Sequence, residues 1–272
     1  MIQGRSIEQQ EKGKVREMKR FEISLKDKVA LVTGAAGGLG GAIAWAFGAA
    51  GARVFLIDLL EDKLKEISQA MRAEGIDAGY QALDINVSGA PQTLVDAVVR
   101  EMGRIDIVVN SAGINRPQKS EEVTEKNWDD VMNINLRAMF FVSQAAGRHM
   151  IARGGGGKII NLSSQAGTVA LPLRAAYCSS KGAVNQMTRT LALEWAKYRI
   201  LVNAIAPTFV ETPFTAQMFQ DEDFKKYVLA SIPLGRMVTT EEIANAAMFL
   251  ASDLSNMITG HILAVDGGWT IQ

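Results

Sequence analysis

From Val29 onward the chain alternates between two kinds of hydrophobic pattern. Short apolar runs rich in Val and Ile occupy 29–33, 53–57, 79–83, 105–109, 158–162, 200–205 and 262–265, and each reads as a buried strand. Between them, apolar residues recur at helical spacing. Leu60, Leu64, Ile67 and Met71 share one helical face, as do Leu94, Val95, Val98 and Met102. Alternation of this kind builds βαβ units, because successive parallel strands need a crossover, and crossovers are right-handed. The expectation is an α/β protein with a doubly wound, seven-stranded parallel sheet of Rossmann type and helices on both faces. The run Gly154–Gly157 precedes a strand rather than a helix, so it reads as a permissive turn. The rhythm stops around 208–237, where Phe209, Phe214, Met218, Phe219, Phe224 and Tyr227 lie among polar residues. That insert reads as a helical lid over a site, or as a helix pair packed on the core. Thr239 and Glu242 then have the spacing of a capping box that opens a last helix.

The chain has 272 residues, 48% of them hydrophobic, which is enough for one full domain and too little for a separate catalytic lobe. Residues 1–20 are charged and poor in large apolar side chains, so they read as a flexible arm ahead of a single domain over 21–272. Lys+Arg and Asp+Glu are balanced at 29 each, which argues against nucleic acid or an anionic membrane surface as the main partner. Cys178 is the single cysteine, so a disulfide framework is excluded and a reducing compartment fits. No apolar run approaches the ~20 residues of a membrane helix, and the polar start shows no signal peptide. These features point to the cytoplasm. With only His149 and His261, neither a metal cluster nor a nucleophile–His–acid triad can be assembled.

The first strand runs into Thr33-Gly34-Ala35-Ala36-Gly37-Gly38-Leu39-Gly40. Glycines between a strand and a helix allow a tight turn, and the helix N-terminus attracts a pyrophosphate. The second strand reaches Asp58, whose carboxylate suits a ribose diol and repels a 2′-phosphate; the plain alternative is a helix N-cap. Leu59 is not basic and the turn carries no cation, which favours NAD over NADP. Asp84, with Ile85, stands near the end of the third strand, where an adenine amino group would lie. Asn110-Ser111-Ala112-Gly113 closes the fourth strand with side chains small enough to admit the adenosine half.

Tyr177 and Lys181 are four apart in a helical stretch and so share a face. A nearby ammonium favours phenolate, which suits the tyrosine to acid–base work. Ser164 follows a strand end, where a hydroxyl can donate to a substrate oxygen. Taken together, Thr33-Gly34-x-x-x-Gly38-x-Gly40, Asn110-Ser111-Ala112-Gly113, Asn135, Ser164 and Tyr177-x-x-x-Lys181 resemble the short-chain dehydrogenase/reductase family over about residues 24–272. The resemblance implies that Tyr177 donates and accepts the proton. It also implies that Lys181 binds the nicotinamide ribose and lowers the tyrosine pKa, that Ser164 orients substrate, and that Asn135 holds a relay water. It further implies that Pro207, Val210 and Thr212 flank the nicotinamide, although Thr208 stands where the family usually has glycine. Val265-Asp266-Gly267-Gly268 matches the family's tail, which implies a homotetramer.

The substrate is expected to be a small molecule, and Gln165, Arg174, Arg116 and Phe209 are candidate contacts, with Asn115, Thr168 and Phe214 nearby. An arginine at 116 or 174 is placed to meet a carboxylate, although surface arginines are usually only solvated. The subfamily resemblance is to sugar, sugar-acid and polyol dehydrogenases. Two alternatives stand beside it. One is a 3-oxoacyl-(acyl carrier protein) reductase, for which the expected basic docking patch is not seen. The other is a non-catalytic nucleotide-binding protein, whose signature would be loss of Tyr177 or Lys181.

Overall fold

The computed structural model describes residues 23–271, except 211, 213, 214, 216 and 217. The expected arm at 1–20 and the lid residue Phe214 therefore lie outside the described residues. Seven parallel strands form one sheet in the order β3-β2-β1-β4-β5-β6-β7. They are β1 (Val29–Thr33), β2 (Arg53–Asp58), β3 (Ala78–Ala82), β4 (Ile107–Asn110), β5 (Gly157–Leu162), β6 (Ile200–Pro207) and β7 (Ile262–Val265). Every expected strand is present. β4 begins two residues late because Asp106 turns its carboxylate to the backbone: Val29 N donates to Asp106 Oδ2 at 3.0 Å.

The helices are α1 (Gly38–Ala49), α2 (Glu61–Ala73), α3 (Ala90–Met102), α4 (Glu125–Met132), α5 (Met139–Arg153), α6 (Ala175–Trp195), α7 (Glu222–Ala230) and α8 (Thr240–Ala251). They bury the sheet from both sides. Ala30, Val32, Val54 and Leu56 face one core with Ile43 and Phe47 of α1, Leu64 and Met71 of α2 and Leu250 of α8. Val29, Leu31 and Phe55 face the other, with Leu94, Val95, Val98 and Met102 of α3. The period-2 strand pattern thus feeds two cores. Leu60 departs from its expected place on the α2 face: it is 54% exposed, because the helix starts one residue later and leaves it at the mouth of a cleft.

Two connections matter for the site. A π-helical turn, Asn133–Ala138, joins α4 to α5 and rotates Asn135 into full burial. The segment before α8 carries the expected capping box: Glu242 N donates to Thr239 Oγ1 at 3.3 Å, and Thr239 N donates to Glu242 Oε2 at 3.0 Å. Arg236 holds the same carboxylate with two hydrogen bonds of 2.6 and 2.9 Å.

Asp106 clamps the opposite, N-terminal edge of the sheet. It accepts from Arg104 (2.5 Å) and Arg153 (2.6 Å) as well as from Val29 N. Burial alone would raise its pKa, but these three donors outweigh burial and hold it below the usual carboxylate range. A depressed folded pKa contributes stability above the unfolded value of about 3.9, and that stability disappears as pH falls through the folded value. Asp106→Ala should therefore cost about 3 kcal/mol near pH 7. The gap to the unsubstituted protein should narrow below about pH 4 in urea titrations followed by circular dichroism.

Candidate active site

The C-terminal ends of β1, β2, β4, β5 and β6 open into a cleft of about 910 Å³ that runs from Asp58 to Tyr177. It lies where the strand order reverses, between β1 and β4, as ligand clefts in open α/β sheets do. Backbone approach makes this end of the cleft. Gly34 adopts φ +67°, and a Cβ there would stand 2.8 Å from Ala112 N. A Cβ on Gly40 would overlap the carbonyl of Gly34. Thr33 Oγ1 accepts from Ser111 N (3.1 Å) and Ala112 N (3.3 Å), which stitches the β1 and β4 loops together. Gly37, Gly38 and Leu39 then present the first turn of α1 to the cleft. A cradle that side chains would fill, at the positive end of a helix, fits a dinucleotide's pyrophosphate.

Asp58 sits at the cleft's far end. Its Oδ2 accepts from Ala36 N at 3.1 Å, and its Oδ1 from Leu59 N at 2.7 Å and Leu60 N at 3.3 Å. It braces the glycine-rich turn while keeping lone pairs for a ribose. Asp84, Ile85, Ala112 and Gly113 line the same half, with Asp84 Oδ1 also accepting from Asn86 N. Asn110 does not line the cleft. Its side chain is buried beneath the floor, where Nδ2 donates to Ser143 Oγ and Asn161 Oδ1, both at 2.9 Å. Sequence reasoning missed Lys63, which α2 brings to the Asp58 end. The only signal for it was its place in the first turn of that helix.

At the other end, Ser164 follows β5 and Tyr177 and Lys181 project from α6 into the same space. Ser164 Oγ accepts from Ala166 N at 3.1 Å, and Ser164 lies close enough to Tyr177 to pull its pKa down against burial. Lys181 Nζ donates to the Leu162 carbonyl at 2.7 Å and lies 5.6 Å from the centre of the Tyr177 ring. The expected depression of the Tyr177 pKa is not seen in the protein alone. Burial raises the phenol, and the opposing pull of Ser164 and Arg174 does not overcome it. Burial also lowers Lys181 to about 8, so the ammonium itself is weakened.

Asn135 is wholly buried behind Gly113 and does not line the cleft. Its Oδ1 accepts from Ile114 N at 2.8 Å, while Nδ2 donates to Ile114 O (2.9 Å) and Ser180 Oγ (3.1 Å). It ties the β4 loop to α6, which makes it a positioning residue for the pair Tyr177 and Lys181. Pro207, the last residue of β6, lines the cleft with Val210 and Thr212 just past it. Thr215 Oγ1 donates to Val210 O at 2.6 Å, and Thr212 N donates to Thr215 Oγ1 at 2.9 Å, so this loop is held by its own threonines. Thr208, the unusual residue of this stretch, is 7% exposed, and its hydroxyl lacks a partner among the described residues.

The four candidate substrate contacts divide. Gln165, Arg174 and Phe209 line the Tyr177 end together with Arg116, but Arg116 is already paired with Asp130 at 3.1 Å. Phe209 packs with Phe219, Phe224 and Trp269 in a third apolar cluster that reaches Tyr177. The aromatic insert therefore packs against the substrate end of the cleft.

Comparison with known proteins agrees with this geometry. Residues 34–270 match the sequence family described as enoyl-(acyl carrier protein) reductase. An NAD-dependent glycerol dehydrogenase of Listeria innocua is 42% identical over 258 residues, covering 92% of this chain and 97% of that protein. A gluconate 5-dehydrogenase of Gluconobacter oxydans is 39% identical over 250 residues, covering 92% and 97%. The crystal structure of a gluconate 5-dehydrogenase from Burkholderia cenocepacia, in complex with NADP and tartrate, superposes with a TM-score of 0.89 at 36% identity, covering 92% of this chain and 98% of that one.

The crowding at Gly40 gives a direct test of the cradle. Gly40→Ala should weaken NADH binding by roughly 10- to 100-fold, the equivalent of an overpacking strain of 1–3 kcal/mol. A fluorescence titration of NADH reads the loss. Unchanged affinity would show that the glycine-rich turn is not the binding element.

Proposed function

The chain belongs to the short-chain dehydrogenase/reductase family, and from that premise we propose that it oxidises a secondary alcohol of a sugar, sugar acid or polyol with NAD, and reduces the ketone in reverse. It is a nicotinamide-dependent oxidoreductase of CH–OH groups. The observation that carries the reading is the meeting of Ser164, Tyr177 and Lys181 at one end of a cleft whose other end is Asp58.

When bound, the nicotinamide supplies a hydride acceptor for the carbinol carbon. The chain's own groups handle the proton. Ser164 Oγ already accepts from Ala166 N, so its hydrogen is available to the substrate oxygen. Tyr177, in its phenolate form, takes the hydroxyl proton as the ketone forms and becomes the phenol. Lys181 spends one donor on Leu162 O and keeps two for the ribose and the phenolate. Because burial raises Tyr177, the resting protein holds it as phenol near neutral pH. Alcohol oxidation should therefore accelerate as pH rises, and ketone reduction should slow.

The preference for NAD rests on Asp58, which three backbone amides hold at the ribose end. Lys63 pulls the other way, since an exposed ammonium there could partly offset a 2′-phosphate. The named relatives divide in the same manner: one is NAD-dependent, and one was solved with NADP. A rigid carboxylate outweighs a solvated lysine in this reading.

The segment around 208–237 serves as the substrate lid, with Phe209, Phe219 and Phe224 packed on one another and Phe209 against Trp269. The working assembly is a homotetramer in the cytoplasm. Support for assembly comes from the tail motif and from Ile271 and Met257, which are 84% and 96% exposed in the single chain. No helix among the described residues is long and apolar enough to cross a membrane.

Two measurements test the reading. Tyr177→Phe should lower turnover by about 10²–10⁴-fold while NADH binding, read by fluorescence, stays intact; substantial residual turnover sinks the assignment. Initial rates with NAD and NADP in parallel, across sugar acids, polyols and hydroxyacyl thioesters, should favour NAD. A strong NADP preference overturns the argument from Asp58.

A further inference from the structure

Arg174 is the unusual charge of the molecule. Its residue is 8% exposed, at the start of α6, yet it forms no ion pair among the described residues. Its Nη1 donates to the Pro172 carbonyl at 3.0 Å; Nε and Nη2 hold no hydrogen bond among the described residues. Two aromatic rings flank it, with Cζ 5.8 Å from the centre of Phe209 and 5.6 Å from that of Phe224. Rings steady a guanidinium without neutralising it. Among the described residues, the titratable groups that face it are Cys178, Tyr177 and Tyr227, none of them a carboxylate, and burial lowers its pKa. Buried charges are normally paired, so an unpaired guanidinium in a cleft is poised for an anion.

Gln165 stands in the same end of the cleft, next to Ser164 in sequence, and is 2% exposed. Neither its Oε1 nor its Nε2 has a hydrogen-bond partner among the described residues. A buried amide with both its donor and its acceptor idle matches a ligand group that both donates and accepts, which is what a hydroxyl does. The other arginine of the cleft, Arg116, is half-exposed to solvent and pairs at 3.1 Å with Asp130, a carboxylate it shares with Lys126.

We propose that Arg174 and Gln165 form a carboxylate-and-hydroxyl subsite, which selects a polyhydroxy acid of the aldonate class over a neutral polyol. This rests on the dehydrogenase reading above and narrows its substrate. Arg174 grips the carboxylate with its free Nε–Nη2 edge, as planar guanidinium groups do. Gln165 takes an intervening hydroxyl, and the carbinol to be oxidised then lies at Ser164 and Tyr177. Phe209 and Phe224 keep water from the ion pair formed with the substrate, which strengthens it.

The test compares aldonates such as gluconate with the alditols of matching chain length, such as glucitol, by initial rates of NADH formation. The unsubstituted enzyme should favour the acids in kcat/KM. Arg174→Met keeps the stem and drops the charge. It should cut the acid-to-alditol ratio of kcat/KM by at least about 30-fold, mainly through KM for the acid. Arg174→Lys should restore part of that ratio. A purely structural role would lower both substrate classes together and leave the ratio unmoved, which overturns the proposal. So does an unsubstituted enzyme that oxidises alditols as well as it does acids. Failure of the unsubstituted enzyme on every sugar, acid and polyol would instead overturn the function itself.

Discussion

The close passage of β1's exit past β4's exit governs everything the cleft contains. Gly34 lies so near Ala112 that only a hydrogen fits between them, and Thr33 Oγ1 binds the two amides that follow β4. Neighbouring parallel strands normally run on into helices on one side of the sheet. Here the chain leaves β1 toward one face and β4 toward the other, so a crevice must open between them. The glycines let that crevice have a backbone floor. The first turn of α1 then lines the cleft, Asp58 closes one end, and β5 with α6 carries Ser164, Tyr177 and Lys181 to the other.

Beneath the floor, buried polar groups hold the strand ends in place. Asn110 bridges Ser143 and Asn161, and Asn161 Nδ2 donates to Thr188 of α6 at 3.0 Å. Ser163 Oγ meets Asn185 Oδ1 at 2.6 Å, while Asn185 Nδ2 reaches Gly167 O at 3.1 Å. These bonds tie β4, β5 and α6 into one unit, and Asn135 adds the loop after β4. In a low-dielectric interior, such a network is favourable only when nearly complete, so it specifies one arrangement of α6 on the sheet. The spacing between the Ser164 and Tyr177 hydroxyls follows from that arrangement.

Burial at the catalytic end has opposite effects on its two titrating groups. It raises the Tyr177 phenol and lowers Lys181 toward 8, so in the protein by itself it opposes the charged form of each. Nearby, Arg174 has no carboxylate partner among the described residues, while Arg116 shares Asp130 with Lys126. Two arginines that look alike in sequence therefore line the cleft in different electrostatic surroundings, one buried between rings and one in a solvent-exposed ion pair.

Strand runs such as 29–33 and 262–265, the buried faces of Leu64–Met71 and Leu94–Met102, and the Thr239–Glu242 cap were legible in the chain because each is a local pattern of residues a few positions apart. Spacing likewise placed Tyr177 with Lys181, and the glycine-rich turn after the first strand. Other features depended on residues far apart in sequence. Asn110 could be assigned to the sheet's polar underside only once β5 and α5 were beside it. Lys63 came to the Asp58 end of the cleft only through the placement of α2, and the Tyr177 pKa rose because of what packs around it. The sequence by itself determined the elements and the chemical groups available. Burial, pairing and charge were decided only by tertiary structure, because desolvation and Coulomb energies depend on distances between segments that no local pattern contains.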